Sequence, residues 1–225
     1  MFTPKERNLE RGWPGRIDGD HVVQLAAQTL EAFFSGGGKA REHDVYPLAE
    51  VRLRPPVLHP PSVRSFSRGL DFYFSNPASI YGPEDEIPCP EGAEGVDYEL
   101  GGAAIIGAEG TIGGFTMVND WTARGLDGAK SRDFATSLGP VVLTPDEYDG
   151  SGAVAVARVN GEERSRGSLE PPGSWEELRT YAARNTRLRP GDVLSFAVVR
   201  GGPVRRGDVV ELESGELGVL RNTVA

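Results

Sequence analysis

Apolar residues along this chain alternate with polar ones more often than they recur at helical spacing, and Gly, Pro, Asn or Asp interrupts them every few residues. DYELGGAAIIG (97–107), GFTMVNDW (114–121), GPVVLT (139–144), AVAVARVNGEE (153–163), DVLSFAVVR (192–200) and DVVELES (208–214) each have the length and β-branched content of a strand. Residues 11–34 read as strand, turn and helix. An Asp-Gly signal divides the short apolar runs of GRIDGDHVVQL, and Leu25, Leu30, Phe33 and Phe34 then fall near helical spacing until the GGG at 36–38. SWEELRTYAARNT (174–186) is predicted as the second helix, with Ser174 as its cap, Glu177 three residues on, and Leu178 and Tyr181 starting an apolar stripe. The proline-rich VRLRPPVLHPPSV (51–63) reads as an extended connection. The pattern predicts a β-rich α+β protein, with a small N-terminal α/β region and linker over 1–55 and a main domain over 56–225.

Composition narrows the function classes. The chain has 225 residues and a net charge of −9, from 24 basic and 33 acidic side chains, so a sequence-independent nucleic-acid binder is not expected. No run approaches the ~20 apolar residues of a membrane span, and MFTPKERNLERG lacks a signal-peptide core. A soluble, cytoplasmic protein with no membrane partner is expected. Cys89, the sole cysteine, allows neither an intrachain disulfide nor a cysteine metal cage, and reads as a structural thiol. His21, His43 and His59 stand at no metal-ligand spacing and read as surface or turn histidines.

The acids and the arginines carry more. Asp97 and Glu99 would share one face of a strand, and Asn119-Asp120 would end another, followed by Trp121 and Arg124. Carboxylates on neighbouring strands are one way to hold a hard cation such as Mg²⁺, and solvated strand-edge acids are the plainer alternative. Arg124, Lys130 and Arg132 place three cations within nine residues, which reads either as a solvated loop or as a clamp for a carboxylate.

Taken in order, FYFSNPASIYGPEDEIPCP (72–90), VDYE (96–99), IIG (105–107), VNDWTAR (118–124), RDFATSLGPVVLTPDE (132–147), VNGEERSRG (159–167), TRLRPGDV (186–193) and RRGDVVELESGELGVLRNTV (205–224) resemble the fumarylacetoacetate hydrolase superfamily. The resemblance covers nearly the whole chain. It implies a mixed β-roll, a homodimer, and divalent-metal chemistry on β-dicarbonyl or 2-oxo acids: C–C hydrolysis, decarboxylation or tautomerisation.

Against that pattern the chain departs in several places. Glu99 fits the first glutamate of the family's E-x-E metal pair, but Gly101 stands at the second, while Asp120 matches the aspartate after the next strand. An upstream Asp-Phe-Tyr string aligns with Ser65 and Ser67, or alternatively with Asp71-Phe72-Tyr73, and the histidine base after it has no counterpart. Arg132 takes the family lysine's place, with Lys130 two residues off, and Val198 in SFAVVRGG (195–202) takes that of a substrate-loop threonine. Ordinary metal-dependent hydrolysis is therefore not expected. The resemblance then implies Arg124, Arg132 and Lys130 as catalytic groups, Asn119, Trp121, Asn76 and Tyr73 as substrate-binding, and Glu99 with Asp120 as ligands only if a metal is bound. No cofactor is expected, and any Mg²⁺ or Mn²⁺ would bind weakly. Two functions fit: a diverged isomerase, lyase or cyclase acting on an anionic oxo acid, dicarbonyl or polyketide-like compound, or a pseudoenzyme that binds a ligand or a partner protein.

Overall fold

The computed structural model describes every residue except Asn8, and every other side chain except those of Arg68, Val199 and Arg200. The last two belong to the SFAVVRGG stretch, so that part of the expected substrate loop lies outside the described residues. The leading region forms β1 (Phe2–Pro4), β2 (Gly15–Asp18), β3 (His21–Leu25), α1 (Leu30–Ser35), β4 (Glu42–Pro47) and β5 (Val51–Leu53). Next come β6 (Val63–Arg68), β7 (Asp71–Ser75), β8 (Ile80–Tyr81), β9 (Glu86–Ile87), β10 (Gly95–Ile106), β11 (Ile112–Asp120) and β12 (Thr122–Arg124). The chain ends with β13 (Thr136–Leu143), β14 (Val154–Val159), β15 (Glu162–Ser168), α2 (Trp175–Ala182), β16 (Val193–Val204), β17 (Val209–Ser214) and β18 (Gly218–Val224). The β-rich class read from the sequence is what the structure has.

A curled mixed sheet in the order β7-β6-β16-β10-β11-β13-β8, with β12 paired to β10, packs on a second sheet in the order β15-β14-β17-β18-β9. Pairing is antiparallel except where β6 joins β16, β8 joins β13 and β9 joins β18. The main core fills the space between the sheets, with Tyr98, Leu100, Met117 and Trp121 on one side and Ala157, Val210, Leu212 and Leu220 on the other. Farther along β10, Ala104 and Ile106 pack under α2, whose Trp175 and Leu178 meet Phe115 and Phe196. Period-two alternation leaves the opposite face of β10 to Glu99 and Ala103, and the matching face of β11 to Val118 and Asp120.

Local signals explain where most elements stop. Ser174 and Glu177 form a full capping box, each side chain bonding the other's backbone N–H, which fixes the start of α2. The helix ends at Ala182, short of the Thr186 the sequence suggests. α1 is also shorter than its apolar spacing predicts: the Thr29 hydroxyl accepts from the Ala32 N–H and starts the helix there, while Leu25 stays in β3. AVAVARVNGEE, read as one run, is a hairpin. Asn160 and Gly161 take φ values of 53° and 82°, the left-handed pair a tight two-residue turn requires.

Candidate active site

Strand ends set the site. Glu99 lies near the start of β10 and Asp120 at the end of β11, and both are buried. The Glu99 backbone N–H donates to Asn119 Oδ1 at 2.9 Å, which ties the two strand ends together. Tyr73, on β7, donates its hydroxyl to Asp120 Oδ2 at 2.5 Å. Arg132 follows a short 3₁₀ turn (Gly128–Ser131) and carries the cation to this pair from a loop.

The guanidinium is clamped from one side. Nη2 donates to Glu99 Oε1 at 2.8 Å and Nη1 to Glu99 Oε2 at 3.3 Å, while Nη1 also donates to the Tyr73 hydroxyl at 2.7 Å. Asp120 Oδ2 lies 3.7 Å from Nη1, and the guanidinium sits over the Tyr73 ring at 5.0 Å. Thr122 Oγ1 donates a further bond to Glu99 Oε1 at 3.1 Å. Three of the five guanidinium N–H groups are thereby committed. Nε–H and the second Nη2–H, which project in parallel from the other edge, have no protein acceptor among the described residues. The Arg132 side chain remains 20% exposed.

Burial governs the ionisation of the cluster. It pushes the Asp120 carboxyl up to about 6, although the Tyr73 hydrogen bond and the Arg132 charge both pull it down. Oδ1 of the same carboxyl is buried as well, and neutralising the acid relieves the cost of burying its charge. Burial, then the Asp120 charge, raises Tyr73 well above the usual phenol and keeps it a neutral donor. Burial works to lower the Arg132 pKa, but the hydrogen bonds and charge of Glu99 outweigh it and the net direction is upward.

The other sequence-predicted residues are placed differently. Arg124 Nε donates to both Asp97 oxygens at 2.8 and 2.9 Å, on a side chain 46% exposed. Lys130 pairs with Asp133 at 2.8 Å and is 77% exposed. Trp121 is fully buried in the main core, its indole N–H held by Ser137. Asn76 donates to Ser79 Oγ and to the Asp133 carbonyl, so it stitches the turn after β7 to the residue following Arg132. Thr122 was missed; a hydroxyl two residues beyond Asp120 was the available signal.

A divalent ion fits these residues poorly. Among the described residues no three His, Cys, Asp or Glu side chains come together. The Glu99 oxygens already accept from Arg132 and Thr122. Ser65, at the place of the family's upstream aspartate, is neutral and bonded to Ser75 and Ser195. At Gly101 a Cβ would lie 1.7 Å from the Phe196 carbonyl oxygen, so the β16 backbone closes the third ligand position to any side chain.

Comparison with known proteins agrees with the fold. The model of the fumarylacetoacetate hydrolase C-terminal domain matches residues 48–225. A mitochondrial oxaloacetate tautomerase of Bos taurus is 31% identical over 82% of this chain and 73% of its own. Among solved structures, maleylpyruvate hydrolase from Sphingobium sp. SYK-6 superposes with a TM-score of 0.84 at 21% identity, over 96% of this chain and 97% of that one. The same hydrolase has been solved with manganese(II) and pyruvate, at a TM-score of 0.82 and 20% identity over the same shares. A 5-carboxymethyl-2-hydroxymuconate delta-isomerase from Mycobacterium smegmatis gives 0.77 at 23% identity, over 95% and 94% of the two chains. No described helix is long and apolar enough to cross a membrane.

Proposed function

The chain belongs to the fumarylacetoacetate hydrolase family, and from that premise we propose that it tautomerises an enolisable, anionic oxo acid or dicarbonyl compound. The observation that carries the reading is the uncommitted Nε/Nη2 edge of Arg132, a two-donor fork suited to a carboxylate or an enolate. The identity to an oxaloacetate tautomerase supports the same substrate class.

In this reading Arg132 stabilises the negative charge that develops on the substrate oxygen as the adjacent carbon loses its proton. Tyr73 accepts a bond from Arg132 and donates one to Asp120. A proton arriving at the Tyr73 oxygen is matched by passage of the tyrosine's own proton to Asp120. Its return to the substrate oxygen completes a tautomerisation with no net proton change. An Asp120 pKa of about 6 suits a base working near neutrality. No resident metal is assigned to the step, and Arg124 and Lys130 are left in their surface ion pairs.

The test follows enol-to-keto conversion of oxaloacetate and related 2-oxo acids above the buffer rate, on wild type and Arg132→Ala. Acceleration lost in the variant is expected. No acceleration and no binding by any acid in the panel would sink the enzyme reading.

A pseudoenzyme reading has its own support. Glu99 and Asp120 are buried, and a surface groove of about 860 Å³, lined by Glu31, Arg179, Arg187, Leu188 and Arg189 among others, shares no residue with the cluster. A homodimer is also proposed, because edge strand β7 leaves Phe74 66% exposed. Sedimentation at twice the 24.2 kDa chain mass is expected.

A further inference from the structure

We propose that the groove between α1 and the end of α2 binds a zwitterionic small molecule, its anionic end on Arg187 and Arg189 and its cationic end on Glu31 and Glu109. The groove stands apart from the Glu99–Asp120 cluster, and what it binds does not depend on the chemistry proposed there. Three observations carry the assignment together.

The first is uncompensated charge of both signs. The groove measures about 860 Å³, a volume in the range of small-molecule sites, and all four side chains line it. The side chains of Arg187, Arg189 and Glu109 have no ion pair, hydrogen bond or ring contact among the described residues. Glu31 acts on the Met1 α-amine, which burial lowers to about 6 and so leaves mostly neutral near neutral pH. Arg179, the third arginine of the groove, is different, because Glu176 accepts from it at 2.8 Å and meets its charge. A plain anion would be drawn to two arginines and repelled by two glutamates, and a plain cation the reverse. A molecule carrying both signs is attracted at both ends.

The second is how the four charges are held. Leu188 is buried between an exposed Arg187 and an exposed Arg189, so both arginine stems leave the chain away from the core. The Arg189 backbone N–H donates to Asp192 Oδ2 at 2.7 Å, and buried Asp192 is bonded in turn by Ser62. Glu31 lies against Gly191, where a Cβ would come 2.4 Å from its Cγ. Glu109 belongs to a short 3₁₀ turn (Ala108–Gly110) that Arg179 ties to α2 through the Gly110 carbonyl at 3.1 Å. Charges rooted in a fixed backbone cost less to order around a ligand.

The third is position. The Gly191 N–H donates to the Ile106 carbonyl at 2.8 Å, which puts the groove at the far end of β10 from Glu99, roughly 20 Å away at ~3.3 Å per residue. Two independent ligands can therefore occupy one chain.

The experiment is calorimetric titration of the purified full chain at neutral pH and constant ionic strength. The probes are 4-aminobutanoate and 6-aminohexanoate, with hexanoate and hexylamine keeping the longer body and one charge each. At least one zwitterion is expected to saturate at millimolar concentration or below, about tenfold more tightly than hexanoate or hexylamine. The double variants Arg187→Ala/Arg189→Ala and Glu31→Gln/Glu109→Gln, checked for folding by thermal melting, should each lose about tenfold in affinity or more. Arg184→Ala makes the same kind of charge change on a side chain that sits over Tyr181 and does not line the groove, and should bind as wild type does. The absence of saturable binding by either zwitterion up to about 10 mM would overturn the proposal. So would hexanoate binding as tightly as the zwitterions, which would make the groove an ordinary anion site. Unchanged zwitterion affinity in both folded double variants would place the ligand elsewhere and overturn it as well.

Discussion

Arg124, Lys130 and Arg132 stand within nine residues of one another, and each faces a carboxylate at 2.8 Å, yet they sit in two different electrostatic worlds. Arg124–Asp97 and Lys130–Asp133 are surface pairs, where water solvates either partner nearly as well as the other does. Arg132–Glu99 is in the protein, joined by Tyr73, Thr122 and Asp120, and water cannot replace a lost partner. The same residue types at the same distance therefore carry different amounts of free energy, and the difference comes from what surrounds them.

The largest effect is expected from Arg132→Ala. Deleting Arg132 takes a charge and three hydrogen bonds from Glu99 and Tyr73 in a largely buried cluster, and the loss should be about 3–5 kcal/mol at neutral pH. Urea denaturation of wild type and variant measures it. A loss below about 1 kcal/mol would mean that the cluster is as wet as the surface pairs, and the contrast would collapse.

Asp120 gives the next effect, and it is read in pH. Its folded pKa of about 6 lies above the ordinary 3.8, so the folded state holds that proton more tightly than the unfolded state does. The stability it contributes is fully present below about pH 3.8 and is lost as pH rises through 6. By linkage, two pKa units correspond to roughly 3 kcal/mol. Asp120→Asn removes the titration, so the stability of the variant relative to wild type should rise between pH 4 and pH 7 by an amount of that order. A difference that stays flat across the range would place Asp120 in contact with water.

Legibility from sequence follows the same division between local and tertiary causes. Ser174 and Glu177 announced α2 because a capping box is built from residues three apart. The strands were legible because alternation is also local, and Asn119-Asp120 was read correctly as a strand end. The start of α1 was misread because apolar spacing from Leu25 outvoted Thr29, whose hydroxyl sets the first turn. Within the site, the list of candidate cations was legible and their ranking was not. Which of three neighbouring cations enters the carboxylate pair depends on β7, β10 and β11 converging from distant stretches of chain. The Gly101 substitution was visible as a lost ligand, but its cause, the Phe196 carbonyl on β16, is a contact across the sheet.

Tyr73→Phe sharpens the contrast from within. It removes a hydrogen bond donated to a buried carboxylate and an acceptor for Arg132, without changing any charge. A hydrogen bond to a charged group is worth about 1.5–3 kcal/mol, and the loss should fall there. Because Tyr73 helps to lower the Asp120 pKa, the phenylalanine variant should also move the Asp120 transition to higher pH. NMR titration of the Asp120 carboxyl, with a fall or no shift as the contrary outcome, checks the direction.

The smallest effects belong to the surface pairs. Arg124→Ala removes a bidentate grip on Asp97, but 46% of the arginine side chain already faces solvent and Asp97 can be rehydrated. Lys130→Ala gives up a pair that is still more open. Exposed ion pairs are worth about 0.2–1 kcal/mol, and each variant should fall within that range in denaturation, shrinking further as salt is raised. The same variants test the division of labour in the proposed chemistry. With the two-donor edge assigned to Arg132 alone, Arg124→Ala and Lys130→Ala should bind oxo acids within a few-fold of wild type, while Arg132→Ala should not bind them. An Arg124→Ala variant that keeps its stability and loses oxo-acid binding would move the clamp to Arg124 and show that a solvent-facing guanidinium, despite its partner Asp97, is the one that meets the ligand.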